Sequence, residues 1–382
     1  MYSLQTNCYI LNRFLILIFS IILCGQIFSQ GTDSVMVVKQ VDSVLQLSRN
    51  LSGKNDFVKA LELNLVAEKI SLDRFGRESV SYGRCCNSHS RIKSYQGEFL
   101  EAEKWAIESR TILEKVLGKD HPEYALVTSN LGILYKEMGD FEKSESLQLE
   151  AKDIREKVLG KAHRDYAQSL NNLGILYKDM GLYEKAEPML MESLANREKS
   201  KSKDPLSYSK GLNNLAVLYL QMGEFNKAEP LFLQTVTIRE TASGKNSPDY
   251  ANALSNLATL YLEMRNFEKA ELIFVETKSI IEKNLGKEHL NYAENLNNLS
   301  ALYIEMGNAE KAIPFLNEAC KIWKQSLGTD HSLVGSCLNN LGRAFLELND
   351  FKQAEIFFNQ SLSIKEKIIE RNILNTQKPY LI

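Results

Sequence analysis

Apolar residues recur along this chain at helical spacing, and the stripe they make returns every 42 residues. Leu131, Leu134 and Tyr135 stand at i, i+3 and i+4, which places them on one edge of a helix. They belong to the string Asn-Leu-Gly-Ile-Leu-Tyr (Asn130 to Tyr135), whose variants end at Tyr177, Tyr219, Tyr261, Tyr303 and Phe345. Each step is 42 residues, with no insertion or deletion across the six copies. Two worn copies precede them. Gly139 and Phe141 map back onto Gly97 and Phe99, then onto Asn55 and Phe57. The pattern therefore predicts eight units over residues 33–371, the first two degenerate, with a C-terminal tail over 372–382.

Each unit reads as two helices. The first is expected over Pro122 to Met138, with a column of small residues at Gly132, Gly174, Ala216, Ala258, Ser300 and Gly342 for close helix approach. Gly139, Gly181, Gly223 and Gly307 suit left-handed C-terminal caps, after which an aromatic such as Phe141 or Tyr183 opens the second helix. Ala186, Ala228, Ala270, Ala312 and Ala354 make a second small column. Gly118, Gly160, Gly286 and Gly328 end the second helix, and Pro122 and Pro248 start the next first helix. Pro188, Pro230 and Pro314 fall early in the second helix, where backbone donors are expected to be uncommitted. One such hairpin cannot bury its own apolar face; stacking buries it against its neighbours.

The order Leu-Gly/Ala-x-x-Tyr, Gly-x-aromatic, Ala resembles the tetratricopeptide repeat. The 42-residue length and the phrase REKVLGK (Arg155 to Lys161) are similar to the long variant of kinesin light chains. The resemblance implies an all-α, right-handed superhelical solenoid of stacked antiparallel helix pairs whose first helices line a concave groove. It also implies a non-enzymatic scaffold that binds another protein.

Residues 1–30 differ in kind. A single positive charge at Arg13 precedes the apolar run Phe14 to Leu23, and a polar exit follows. That is the layout of a signal peptide, with cleavage expected near Gly25 or Ser29–Gln30 and an exported protein as the result. An uncleaved N-terminal anchor is the alternative, and the only membrane contact expected. At 44% hydrophobic and 25% charged residues the chain as a whole reads as folded protein rather than a disordered chain. Net charge of −2 gives no surface for neutralising phosphates, so nucleic acid is not an expected partner. Cys8 and Cys24 lie in the leader; Cys85, Cys86, Cys320 and Cys337 read as small buried hydrophobes, with a Cys320–Cys337 bridge as the oxidised alternative.

No motif for nucleophilic catalysis, phosphate binding or metal ligation appears, so neither catalytic residues, metal nor cofactor is expected. Bacterial arrays of this type often precede a caspase-like peptidase domain, for which the expected tail leaves no room. His121, His163, His289 and His331 share one position in the turn between units, a structural role; His89 stands at a core leucine position. The Glu-Lys runs such as Glu142-Lys143 and Glu268-Lys269 read as surface charge.

The sharper candidates are polar. Asn130, Asn172, Asn214, Asn256, Asn298 and Asn340 repeat without exception beside a buried leucine, although asparagine is a mediocre helix former. The resemblance implies that this column holds a partner's backbone, and one carboxamide can both donate and accept. A structural ladder between helices explains the column equally well. Seven residues on, five of Glu137, Asp179, Gln221, Glu263, Glu305 and Glu347 are acidic. Beside them Lys136, Lys178, Leu220, Leu262, Ile304 and Leu346 turn from basic to apolar, which favours a partner with basic and apolar residues. A solvated acidic rim is the plainer reading. Two further roles stay open: an assembly subunit docking through an uncapped end after Ser361 to Glu370, and the regulatory arm of a system whose catalytic domain is on another chain.

Overall fold

The structure, a computed structural model, describes residues 32–199 and 203–376. The signal peptide expected over residues 1–30, with its expected cleavage sites, lies outside the described residues. Among those residues sixteen helices form eight hairpins and no strand. They are α1 (Thr32–Ser52) with α2 (Phe57–Phe75), α3 (Val80–Tyr95) with α4 (Phe99–Leu117), and α5 (Pro122–Glu137) with α6 (Phe141–Leu159). Next come α7 (Arg164–Asp179) with α8 (Tyr183–Glu198), and α9 (Pro205–Gln221) with α10 (Phe225–Ser243). The last three pairs are α11 (Pro248–Glu263) with α12 (Phe267–Leu285), α13 (Leu290–Glu305) with α14 (Ala309–Leu327), and α15 (Ser332–Glu347) with α16 (Phe351–Thr376).

The hairpins stack into a right-handed superhelix with two layers. First helices of adjacent units touch one another directly, whereas no comparable contact joins consecutive second helices. Elements on the inside of a curve crowd and those on the outside spread, so the odd-numbered helices form the concave layer.

Local chemistry sets the breaks. The turn inside each hairpin needs a positive φ, supplied by Gly139 at 81° and Gly181 at 74°. Where glycine is missing, Asn55, Arg265 and Asn349 take the same conformation at 58° to 60°. The turn between units is closed by a side-chain cap. Nδ1 of His121, His163 and His289 accepts the backbone N–H two residues on at 3.1 Å, and His331 does so at 3.2 Å. Ser79 and Ser247 cap equivalent turns with their hydroxyls. Small columns permit close approach: a Cβ at Gly174 would sit 2.6 Å from Leu190 Cγ, and one at Gly342 2.7 Å from the Phe358 ring.

Two differences from the sequence reading have physical causes. Pro188, Pro230 and Pro314 lie at the sixth helical position, beyond the four uncommitted donors. Each costs its helix one backbone bond, yet α8, α10 and α14 run on because packing on both sides holds them. The final helix α16 extends to Thr376, past the expected limit of the array at 371.

The cysteines divide. Cys85 and Cys86 are free and buried, and burial raises both thiols above their ordinary range. Cys320 on α14 and Cys337 on α15 are joined in a disulfide, with Cα atoms 5.8 Å apart. His89 is a core residue: it stacks on Trp105 with ring centroids 4.1 Å apart, and burial pushes its pKa down to about 4.

Candidate functional site: the concave channel

Five of the six column asparagines form a ladder, and Asn298 lies half-buried in line with them. The Nδ2 groups of Asn214 and Asn256 donate to Asn171 and Asn213 Oδ1 at 2.7 Å. Asn130 and Asn340 donate to Asn87 and Asn297 Oδ1 at 2.9 Å, and Asn172 to Ser129 Oγ at 3.1 Å. Every acceptor belongs to the preceding unit, so the column couples neighbours. The structural explanation weighed for these residues is thus present in the fold. It does not exhaust them. Each amide is half-buried on the concave layer, and the ladder bonds use the NH2 groups; the Asn172 oxygen accepts from Gln168 at 2.7 Å, and the oxygens of Asn130, Asn214, Asn256 and Asn340 are left as further acceptors.

At 100° per residue, the position four before each asparagine lies on the same face. That column reads Leu126, Gln168, Lys210, Asn252, Glu294 and Ser336. Lys210 and Glu294 are open to water, yet desolvation pushes the Glu294 carboxyl up and the Lys210 ammonium down. Solvent contact and desolvation coexist where a side chain projects into a channel with protein on most sides. Arg197 and Arg239 add to the shift at Lys210 through repulsion. Among the described residues neither group has an ionic partner.

The acidic column is partly engaged. Asp179 binds Lys136 at 3.0 Å and Lys178 at 2.8 Å, Glu305 binds Arg343 at 2.6 Å, and Glu137 accepts from Ser94. Glu263 is exposed. The apolar column corrects the sequence reading. Ile304 is buried, and Leu220 and Leu262 are half-buried against the core. Six residues past the asparagine is a rotation about 120° away from its face, so these side chains serve packing between units.

A second periodic constellation went unread in the sequence. The hydroxyls of Tyr135, Tyr177, Tyr219, Tyr261 and Tyr303 donate to Glu103, Glu145, Glu187, Glu229 and Glu271 at 2.6 to 2.9 Å. Lys143, Lys185, Lys227, Lys269 and Lys311 lie over the same rings, 3.9 to 5.1 Å from the centroids. These lysines, all but Lys227 read as plain surface charge in Glu-Lys runs, are half of a cation–π column. The signal was available. Where tyrosine gives way to Phe345, the glutamate is replaced by Ile313 and the lysine by Gln353. All three change together, because a carboxylate without its phenol would be desolvated for nothing.

A tetratricopeptide-repeat sequence profile matches residues 87–151, 125–199, 208–280, 273–325 and 305–367. The chain belongs to the tetratricopeptide repeat family. No curated protein matches it. Among solved structures, the Rap conjugation gene regulator of plasmid pLS20 in complex with the Phr* peptide is 13% identical, with a TM-score of 0.59 over 89% of this chain and 98% of that one. A Rap protein complexed with competence and sporulation factor is 14% identical, with a TM-score of 0.58 over 87% and 99%. BtubC (BKLC) from P. vanneervenii is 20% identical over 65% and 94%, with a TM-score of 0.46. At such identities the likeness is one of fold. The tetratricopeptide array is therefore a two-layer superhelix whose inner wall carries the asparagine ladder and two lone charges.

Proposed function

We propose that this tetratricopeptide array is a non-enzymatic scaffold that captures an extended segment of a partner protein in its concave channel. The observation that carries the reading is the pair Lys210 and Glu294. Desolvated charges without counter-ions are costly, and a ligand supplying them offsets that cost. The oxygens of Asn130, Asn214, Asn256 and Asn340 add acceptors for a bound backbone. The Rap relatives of the same fold are complexes with the Phr* peptide and with competence and sporulation factor, which agrees with a channel of this shape taking a peptide.

Export is part of the proposal. It rests on the leader-like residues 1–30 and on the Cys320–Cys337 disulfide, which an oxidising compartment would preserve. Among the described residues no helix is long and apolar enough to cross a membrane.

The test is capture of partners from the native envelope with wild-type protein, with Lys210→Glu and Glu294→Lys, and with Leu272→Glu on the outer layer. Loss of a partner in the channel variants alone, with thermal stability unchanged, supports the reading. Equal capture by all variants refutes it. One observation favours a second reading: Phe351, Ile356 and Leu362 are exposed on the terminal helix α16, as an end-to-end assembly surface would be.

A further inference from the structure

One superhelical turn closes on itself. The Asn55 carboxamide lies 3.2 Å from His289 Nε2, across 234 residues of sequence. One unit further along both sides, a Cβ at Gly97 would lie 3.3 Å from His331 Cδ2. Two contacts in the same register show that the turns of the hairpins in the first two units rest on the turns that open α13 and α15. They form a seam.

At the seam is a cavity of about 680 Å³, bounded on one side by the first two units and on the other by α11, α12 and α13. Its charges do not balance. Arg49, Lys54 and Arg91 face it, against the single carboxylate of Asp249. Arg49 donates to Gln46 Oε1 at 2.7 Å and Arg91 to Tyr95 Oη at 3.2 Å, so both guanidinium groups spend bonds on neutral partners. No ion pair involves these three cations among the described residues. Phe57, Ile92, Leu285 and Leu290 give the wall its apolar part, beside the neutral polar Ser88, Asn252 and Asn291. Arg49 and Arg91 hold the position that is Ile133, Ile175 and Val217 in the next three units, and arginine returns there at Arg343 in the last. The two degenerate units thus carry arginine at a position that is aliphatic in the three units after them.

We propose that the seam cavity is a binding site for an acidic segment of polypeptide, with its carboxylates on Arg49 and Arg91 and its apolar side chains against Phe57 and Leu290. The site exists only when the superhelical turn is closed, because neither side encloses the volume alone. The proposal deepens the channel reading and rests on it. It adds that a bound segment enters acid-first at the seam and staples the closed turn. A guanidinium–carboxylate pair is planar and bidentate, which makes arginine the suitable cation here.

The experiment is fluorescence anisotropy of a labelled, end-blocked decapeptide of alternating glutamate and leucine, with glutamine–leucine and lysine–leucine controls. The protein variants are Arg49→Gln with Arg91→Gln, Asn55→Gly, and Lys210→Glu. Glycine at 55 keeps the positive φ while deleting the seam contact. The proposal expects the acidic peptide to bind best, and about a tenfold weakening for each arginine removed. It expects Asn55→Gly to weaken binding while circular dichroism stays unchanged. Binding that ignores the arginine and seam variants but is lost in Lys210→Glu overturns the seam site and leaves the channel reading standing. Displacement by millimolar inorganic phosphate overturns the peptide assignment in favour of a small anion. Failure of the acidic peptide to bind at all also overturns it.

Discussion

Replacing Tyr261 by Phe should destabilise the array, and replacing Glu229 by Ile in the same molecule should restore it. The Tyr261 hydroxyl donates to Glu229 Oε1 at 2.9 Å, with the phenol buried and the carboxylate half-buried. A hydrogen bond to a charged group is worth about 1.5 to 3 kcal/mol when buried; half-exposure of the acid brings the expected cost of Tyr261→Phe to about 1 kcal/mol. Glu229→Ile alone leaves a buried hydroxyl unpaired and should cost about 1 to 2 kcal/mol. The double variant copies Phe345 with Ile313, where Phe345 stacks on Phe357 at 5.4 Å instead. It should recover to within about 0.5 kcal/mol of wild type, a coupling of about 1.5 to 3 kcal/mol. Urea titration by circular dichroism measures the cycle, with hydrogen exchange across α10 and α11 to localise it, since repeat arrays need not unfold in one step. Additive losses would refute the idea that the three columns change as a unit.

Gly174→Ala should cost about 1 to 3 kcal/mol in the same titration, because its Cβ would meet Leu190 Cγ at 2.6 Å. Reduction of Cys320–Cys337, which closes a 17-residue separation, should lower stability by about 3 kcal/mol, read as the shift in urea midpoint with reductant or in Cys320→Ser with Cys337→Ser. Stability should fall as pH drops below about 6.5, because burial lowers the folded pKa of His89, His289 and His331 and protonation favours the unfolded chain. Protonation also removes the Nδ1 acceptor that caps α13 and α15. At the alkaline end Tyr177, Tyr219 and Tyr261 are pushed up to about 12, chiefly by burial and then by the neighbouring carboxylates. Their contribution is full below about pH 10 and lost as pH rises toward 12, so tyrosinate absorbance and unfolding should coincide there.

The fold was legible because one pattern was written many times. A single Asn-Leu-Gly-Ile-Leu-Tyr string is compatible with many helices; six at constant spacing admit one architecture. The histidine turns were legible for the same reason. The channel wall was harder to read. The asparagines stood out by strict repetition, but repetition cannot separate a ladder from a binding column, since both demand the same residue. Lys210 and Glu294 escaped notice for the opposite reason, since their column carries six different residues, and Arg49 and Arg91 because they stand in the two worn units. Only curvature shows that those positions point inward. The seam is further removed still, since its two sides lie 234 residues apart and the contact depends on how far each unit rotates against the next.

The central claim is that a partner lies along the inner wall. A photo-reactive phenylalanine analogue placed at Asn252 on the channel face, or at Leu272 on the outer layer, tests it most directly in the native host. The account predicts a covalent adduct with a protein partner from position 252, weakened by Lys210→Glu, and none from position 272. An adduct from 272 with none from 252 would contradict it.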